Sequence, residues 1–210
     1  MTFDAAVSAL VTLLVTIDPI GLAPVFVSLT FHMTARQRRA VAVRAAVIAF
    51  SILAFFVLAG RQFLELLGVG LPAFRIAGGL LLFWIAFEMV FERRQNRKQQ
   101  AANAAVTQDH ISNIAAFPLA IPLMAGPGAI TAVILLGARA DGHLPALAAL
   151  IVLIAAVTGA CALVFAAAGP ISRLLGTTGT VVMSRLLGVV LAALAVQFVV
   201  DGVGALLGRS

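Results

Sequence analysis

The sequence predicts an all-α membrane protein whose six transmembrane helices form two inverted three-helix repeats, with the first and fourth helices broken. Three observations carry that expectation. Hydrophobic residues supply 62% of the 210 positions and charged residues 10%, at a mean hydropathy of +1.13, whereas a soluble domain covers its core with charges at about a quarter of its positions. The apolar residues fall into six runs, each long enough to cross hydrocarbon, which takes about 20 residues. A pair of prolines recurs at matching places in the first and fourth runs, Pro19 with Pro24 and Pro122 with Pro127.

The expected spans are residues 5–31, 40–60, 72–91, 114–137, 144–169 and 181–207. The first run follows Met1-Thr2-Phe3-Asp4, which has no basic segment, and contains no small-residue cleavage site, so a retained span is expected rather than a signal peptide. The most polar connection, residues 92–113, divides the chain into a first repeat (1–91) and a second (114–210) within one membrane domain, and is expected to be a cytoplasmic linker. Orientation follows from the basic residues. The connections after spans one, three and five carry Arg36, Arg38, Arg39, Arg44, Arg93, Arg94, Arg97, Lys98, Arg173 and Arg185, against Arg61, Arg75, Arg139 and Arg209 on the opposite side. The richer side is therefore expected to be cytoplasmic, with both termini periplasmic in a bacterial inner membrane.

Composition also excludes functions. The net charge of +6 comes from residues scattered through short connections, not from one basic face studded with aromatics, so nucleic acid is not an expected partner. Cys161 sits inside an apolar run and reads as an inert buried thiol. His32, His110 and His143 occupy three separate loops, without the spacing of metal ligands. No His, Cys or carboxylate cluster supplies a nucleophile or metal site, so an enzyme is not expected.

The two halves match beyond their prolines. Ser28 falls opposite Thr131, Ala59-Gly60 opposite Ala168-Gly169, and Arg75, Gly78 and Leu81 opposite Arg185, Gly188 and Leu191. Three spans per half is an odd number, so a second copy enters the membrane from the other side, the inverted construction common among secondary transporters. Proline lacks the N–H that bonds four residues back, so Pro19 frees the carbonyl of Val15, Pro24 that of Ile20, Pro122 that of Pro118 and Pro127 that of Leu123. Freed carbonyls at membrane depth must be buried in protein or line a wet cavity, which points to a shared central chamber.

New half-helices are expected near Pro24 and Pro127, with free N–H groups able to hold a carboxylate. Gly21, Gly126 and Gly128 let a ligand approach the backbone. A zwitterion fits, its ammonium on freed carbonyls and its carboxylate on helix starts. The candidate substrate site is thus Asp18, Pro19, Gly21, Pro24, Ser28, Pro122, Gly126, Pro127, Gly128 and Thr131. Asp18, the one acid near mid-membrane, has three open roles: binding a substrate amine, carrying a coupling proton or sodium ion, or capping the second half-helix. Glu88 and Asp201 near span ends read as anchors reaching interfacial water, and Arg75 and Arg185 as side chains that snorkel or bind helix ends and lipid phosphate. Gln197 and Asp201, four residues apart on one helix face, form a candidate gate.

The runs Ile17-Asp18-Pro19-Ile20-Gly21-Leu22-Ala23-Pro24-Val25-Phe26, Arg75-Ile76-Ala77-Gly78-Gly79-Leu80, Pro118-Leu119-Ala120-Ile121-Pro122-Leu123-Met124-Ala125-Gly126-Pro127-Gly128 and Ser184-Arg185-Leu186-Leu187-Gly188 resemble the MarC family of bacterial inner-membrane proteins. The resemblance covers essentially the whole chain. It implies six spans, membership of the broader LysE-like amino-acid exporter superfamily, and, for some members, transport of neutral amino acids; it does not imply drug efflux. The expected function is an alternating-access transporter of small neutral amino acids such as glycine or alanine, with a non-transporting scaffold or sensor, or an exporter of another small solute, as the alternatives.

Overall fold

The computed structural model describes residues 2–94, 97–100, 114–140 and 143–208, and of residues 169–175 and 177 the backbone only. Helices α1 (Phe3–Ile17) and α2 (Pro19–Leu29) make up a first span interrupted at Asp18. They are followed by α3 (Ala35–Leu66) and α4 (Leu71–Val90). A segment of wide turns, Ala115–Met124, then meets α5 (Pro127–Arg139) at a bend of 59°. Helix α6 (Leu144–Ala166) precedes α7 (Ala168–Leu206), whose only described interruption is Gly176 at φ 60°. Five of these stretches are long and apolar enough to cross a membrane, and the bent pair makes six.

The last span is longer than its expected range of 181–207, since α7 begins at Ala168, and at the second span a cap accounts for the earlier start. The second span starts at Ala35 because Thr34 and Gln37 form a capping box, the Thr34 hydroxyl accepting the Gln37 N–H at 3.3 Å and the Gln37 side chain accepting the Thr34 N–H at 2.9 Å. Arg36, Arg38 and Arg39 therefore lie in the first turns of α3 rather than in a loop. Pro24 does not begin a half-helix: α2 starts at Pro19, and Pro24 lies inside it. Proline is tolerated at a first helical position, where its missing N–H would have no intrahelical partner, and Asp18 stands before it as the cap.

Packing follows the small residues. Helices α4 and α7 run antiparallel with their backbones nearly touching. A methyl group added to Gly79 would stand 2.8 Å from the Ala195 carbonyl, one on Gly188 3.1 Å from that of Ala86, and one on Gly202 2.9 Å from that of Pro72. Close approach through small residues is how helices associate where lipid removes the hydrophobic force between them. Helix α3 packs on α6 and α5, α2 on α6 and α7, and α4 on α5. Phe26 of α2 stacks on Phe165 of α6, ring centroids 4.7 Å apart. The outward surface is as apolar as the interior, with Phe55, Leu58, Trp84, Val152, Leu163 and Val189 all exposed, an arrangement suited to lipid contact. Buried Thr12, Thr16, Thr30 and Thr158 donate their hydroxyls to carbonyls four residues back, so none needs a distant partner.

Candidate functional site

The first break is one residue wide. Asp18 adopts the left-handed conformation (φ 58°, ψ 66°), which short polar side chains tolerate better than others. Its N–H donates to the Leu14 carbonyl at 2.9 Å, closing α1, and its carboxylate accepts the Gly21 N–H at 3.0 Å, opening α2. Of the three open roles, capping is met. Asp18 is 2% exposed. Helix α1 is about 22 Å long and α2 about 16 Å at 1.5 Å per residue, so the break falls within a hydrocarbon thickness of about 30 Å.

The partners of this break come from the connection after α4. Glu92 takes a positive φ of 62° and turns the chain back. Arg94, 7% exposed, then donates to the carbonyls of Val15 and Thr16. The Val15 carbonyl is the one Pro19 frees, and a guanidinium is the partner it finds. Four residues further, the Lys98 ammonium, 6% exposed, lies 2.9 Å from Asp18 Oδ2. Gln99 donates to the Ser28 hydroxyl at 3.1 Å, and Arg97 pairs with Glu88 at 2.8 Å. Residues 92–94 and 97–100 are thus not a solvated linker but a basic strap laid against the break. The remainder of the expected linker, residues 95, 96 and 101–113 with His110, lies outside the described residues.

The second break is longer. Phe117 and Ile121 are extended within the wide-turn segment, each preceding a proline, as the steric demands of proline favour. Hydrogen bonds there span five residues, from the N–H of Leu119 to Ile114 and of Ala125 to Ala120. Helix α5 then starts at Pro127, as expected from the sequence, and Gly126 before it supplies no side-chain cap. The N–H groups of Gly128 and Ala129 therefore lack intrahelical acceptors. Gly128 and Ala129 line a cavity of about 370 Å³ together with Thr16, Trp84, Ile85, Arg94, Arg97, Lys98, Pro122, Gly126 and Pro127. Both breaks meet at this chamber, the first represented by Thr16 and by the strap that covers Asp18.

The far end of α5 opens on a second cavity of about 460 Å³, lined by Thr2, Ala9, Leu136, Arg139 and His143 among others. There Arg139 pairs with Asp201, which also accepts the Gln197 side-chain amide at 2.7 Å, and the Arg139 guanidinium sits 4.6 Å from the Phe198 ring centroid. Asp201, with a third of its side chain exposed, lies in reach of solvent as an anchor would.

The structure brings together Pro122, Gly126, Pro127 and Gly128 at the chamber and places Asp18, Pro19 and Gly21 behind the strap. Thr131 is elsewhere: buried, its methyl packs where a side chain on Gly78 would go. Ser28 is exposed and held by Gln99. Glu88 is 6% exposed rather than anchored in interfacial water, because Arg97 neutralises it. Arg185 pairs with Glu92 at 3.1 Å. Sequence reasoning missed Arg94, Lys98 and Arg139. Arg94 and Lys98 stand four apart, one helical face, beside a chain in need of donors for freed carbonyls, and that was the available signal. Among the described residues no group of three His, Cys, Asp or Glu side chains can hold a metal ion.

Residues 3–207 match the family described as MarC family integral membrane protein. A relative from Aquifex aeolicus, described as a UPF0056 membrane protein, is 37% identical over 206 residues, covering 96% of this chain and 93% of its own. A UPF0056 membrane protein from Archaeoglobus fulgidus is 40% identical over 194 residues (91% and 88%), and YvbG of Bacillus subtilis, described likewise, 34% over 202 (96% and 95%). No solved structure matches. With the family matched across all the spans and such relatives nearly full length, the chain belongs to the MarC family of integral membrane proteins.

Proposed function

We propose that the protein is a secondary transporter of small neutral amino acids of the glycine or alanine type, working by alternating access across the inner membrane. The observation that carries this reading is the chamber: an uncapped helix start, at membrane depth, facing a cavity of about 370 Å³ bordered by Arg94, Arg97 and Lys98. Such a start holds a carboxylate through free N–H groups and the helix dipole, and the volume suits a small solute. A scaffold has no need of an open helix start within the bilayer.

The inverted repeat is part of the same proposal. The matched helices α4 and α7 pair antiparallel, and neighbours repeat in kind, since α2 packs on α7 as α5 does on α4. Both features are what a pseudo-twofold axis in the membrane plane requires. Rocking of one half on the other would expose the chamber on the strap side in one state and the Arg139 cavity on the other, with Gln197 and Asp201 in the outer closure. A proton or sodium gradient would supply the drive.

The test is flux of labelled glycine and alanine into proteoliposomes, with and without proton or sodium gradients. Saturable flux is expected. Replacing Pro122, Gly126 and Pro127 together by alanine is expected to re-form a continuous helix and abolish flux while the protein stays folded. Absence of saturable flux in the parent protein would reject the transporter reading, and full activity in the triple variant would move the site.

A further inference from the structure

Lys98 is the single lysine of the chain, and it stands in a buried contact with a carboxylate 80 positions away. Its side chain lines the same chamber as Gly128 and Ala129. The complements for the two ends of an amino acid are therefore adjacent: the uncapped helix start lines the chamber for the carboxylate, and Asp18, for the ammonium, lies behind Lys98 in the chamber wall. The second complement is already filled by an ammonium that belongs to the protein.

From this we infer that Lys98 is a tethered surrogate for the solute ammonium, so that a primary ammonium entering the chamber binds Asp18 by displacing Lys98. Two cations do not share one buried carboxylate, because the second has no counter-charge to offset its desolvation. Departure of Lys98 leaves its former volume continuous with the chamber and removes the buried attachment of the strap beyond Arg94, which keeps its hold on the Val15 and Thr16 carbonyls. Arg97 to Glu88 and Gln99 to Ser28 are shallower holds, with Arg97 and Ser28 exposed. Solute recognition and release of the strap beyond Arg94 then become one event. A solute of the same size with a carboxylate but no ammonium binds the helix start and leaves the strap shut. The inference rests on the transport reading above and adds to it the requirement for a primary ammonium and the residue that enforces it.

Because Lys98 has no lysine neighbours in the sequence, full-length protein carrying ¹⁵N-lysine gives one side-chain ammonium signal. Glycine is expected to shift that signal to a rapidly exchanging, solvated position, whereas glycolate at equal concentration leaves it in place. Lys98→Gln, which removes the internal competitor, is expected to bind glycine about tenfold tighter, the amount by which a competing closed state held nine times in ten would weaken it. Should that variant fold poorly, the charge-balanced Asp18→Asn/Lys98→Gln variant is expected to lose the preference for glycine over glycolate. A Lys98 signal unmoved by glycine while glycine still enters proteoliposomes overturns the exchange and leaves transport standing. A shift of equal size with glycolate also overturns it, and no shift together with no flux overturns both.

Discussion

Asp18 has no slack. The methyl of an alanine at Gly21 would overlap its Oδ2, so Gly21→Ala is expected to push the carboxylate off Lys98 and lose the α2 cap. Loss of a buried polar contact costs about 1–3 kcal/mol, measurable as a lowered melting temperature of the detergent-purified protein. Arg94→Met tests the other half of the break. It leaves the Val15 and Thr16 carbonyls without their donor, and at about 1–3 kcal/mol for each stranded group its melting temperature is expected to fall further than that of Gly21→Ala. A melting temperature equal to the parent's would mean that water replaces the guanidinium.

At the scale of elements, the α4/α7 pair is set by glycines whose missing side chains admit a facing carbonyl. Gly79→Ala and Gly188→Ala are each expected to destabilise by about 1–3 kcal/mol through overpacking. Gly159→Ala serves as the opposite case: its position on α6 has nothing within 4 Å, so relief of glycine's backbone entropy is expected to stabilise by about 0.5–1 kcal/mol. Denaturation of the three variants under identical conditions checks the ordering. The two broken elements were unequally legible. Pro127 marks the start of α5 because Gly126 and Pro122 leave no helix before it, whereas Pro24 is absorbed into α2 because the break was already made at Asp18. A proline alone does not say whether a helix ends or continues past it; the residues on either side, and what can satisfy the freed carbonyl, decide.

For the whole molecule, orientation makes a prediction of its own. Single cysteines placed at Gly68 or His143 are expected to react with an impermeant thiol reagent added to intact cells, and those at His32 or Gln99 only after the membrane is opened. Background is low because the native Cys161 is buried. The opposite pattern would invert the assignment of the strap to the cytoplasmic side and with it the direction in which the chamber opens.

Length and hydropathy by themselves determined the spans, because hydrocarbon imposes a fixed thickness and admits few charges. The proline pairs likewise marked the two spans that break, since a missing N–H is a property of the residue, although the position of each break depended on its neighbours. Only the tertiary structure decided what the breaks are for. The polarity of residues 92–100 is that of a solvated loop, and nothing local distinguishes an arginine in water from one laid against a carbonyl 78 positions earlier. Lys98 is buried for the same reason: a charge enters the interior when a distant residue of opposite sign meets it there, and the chain's folding, not its order, makes that meeting.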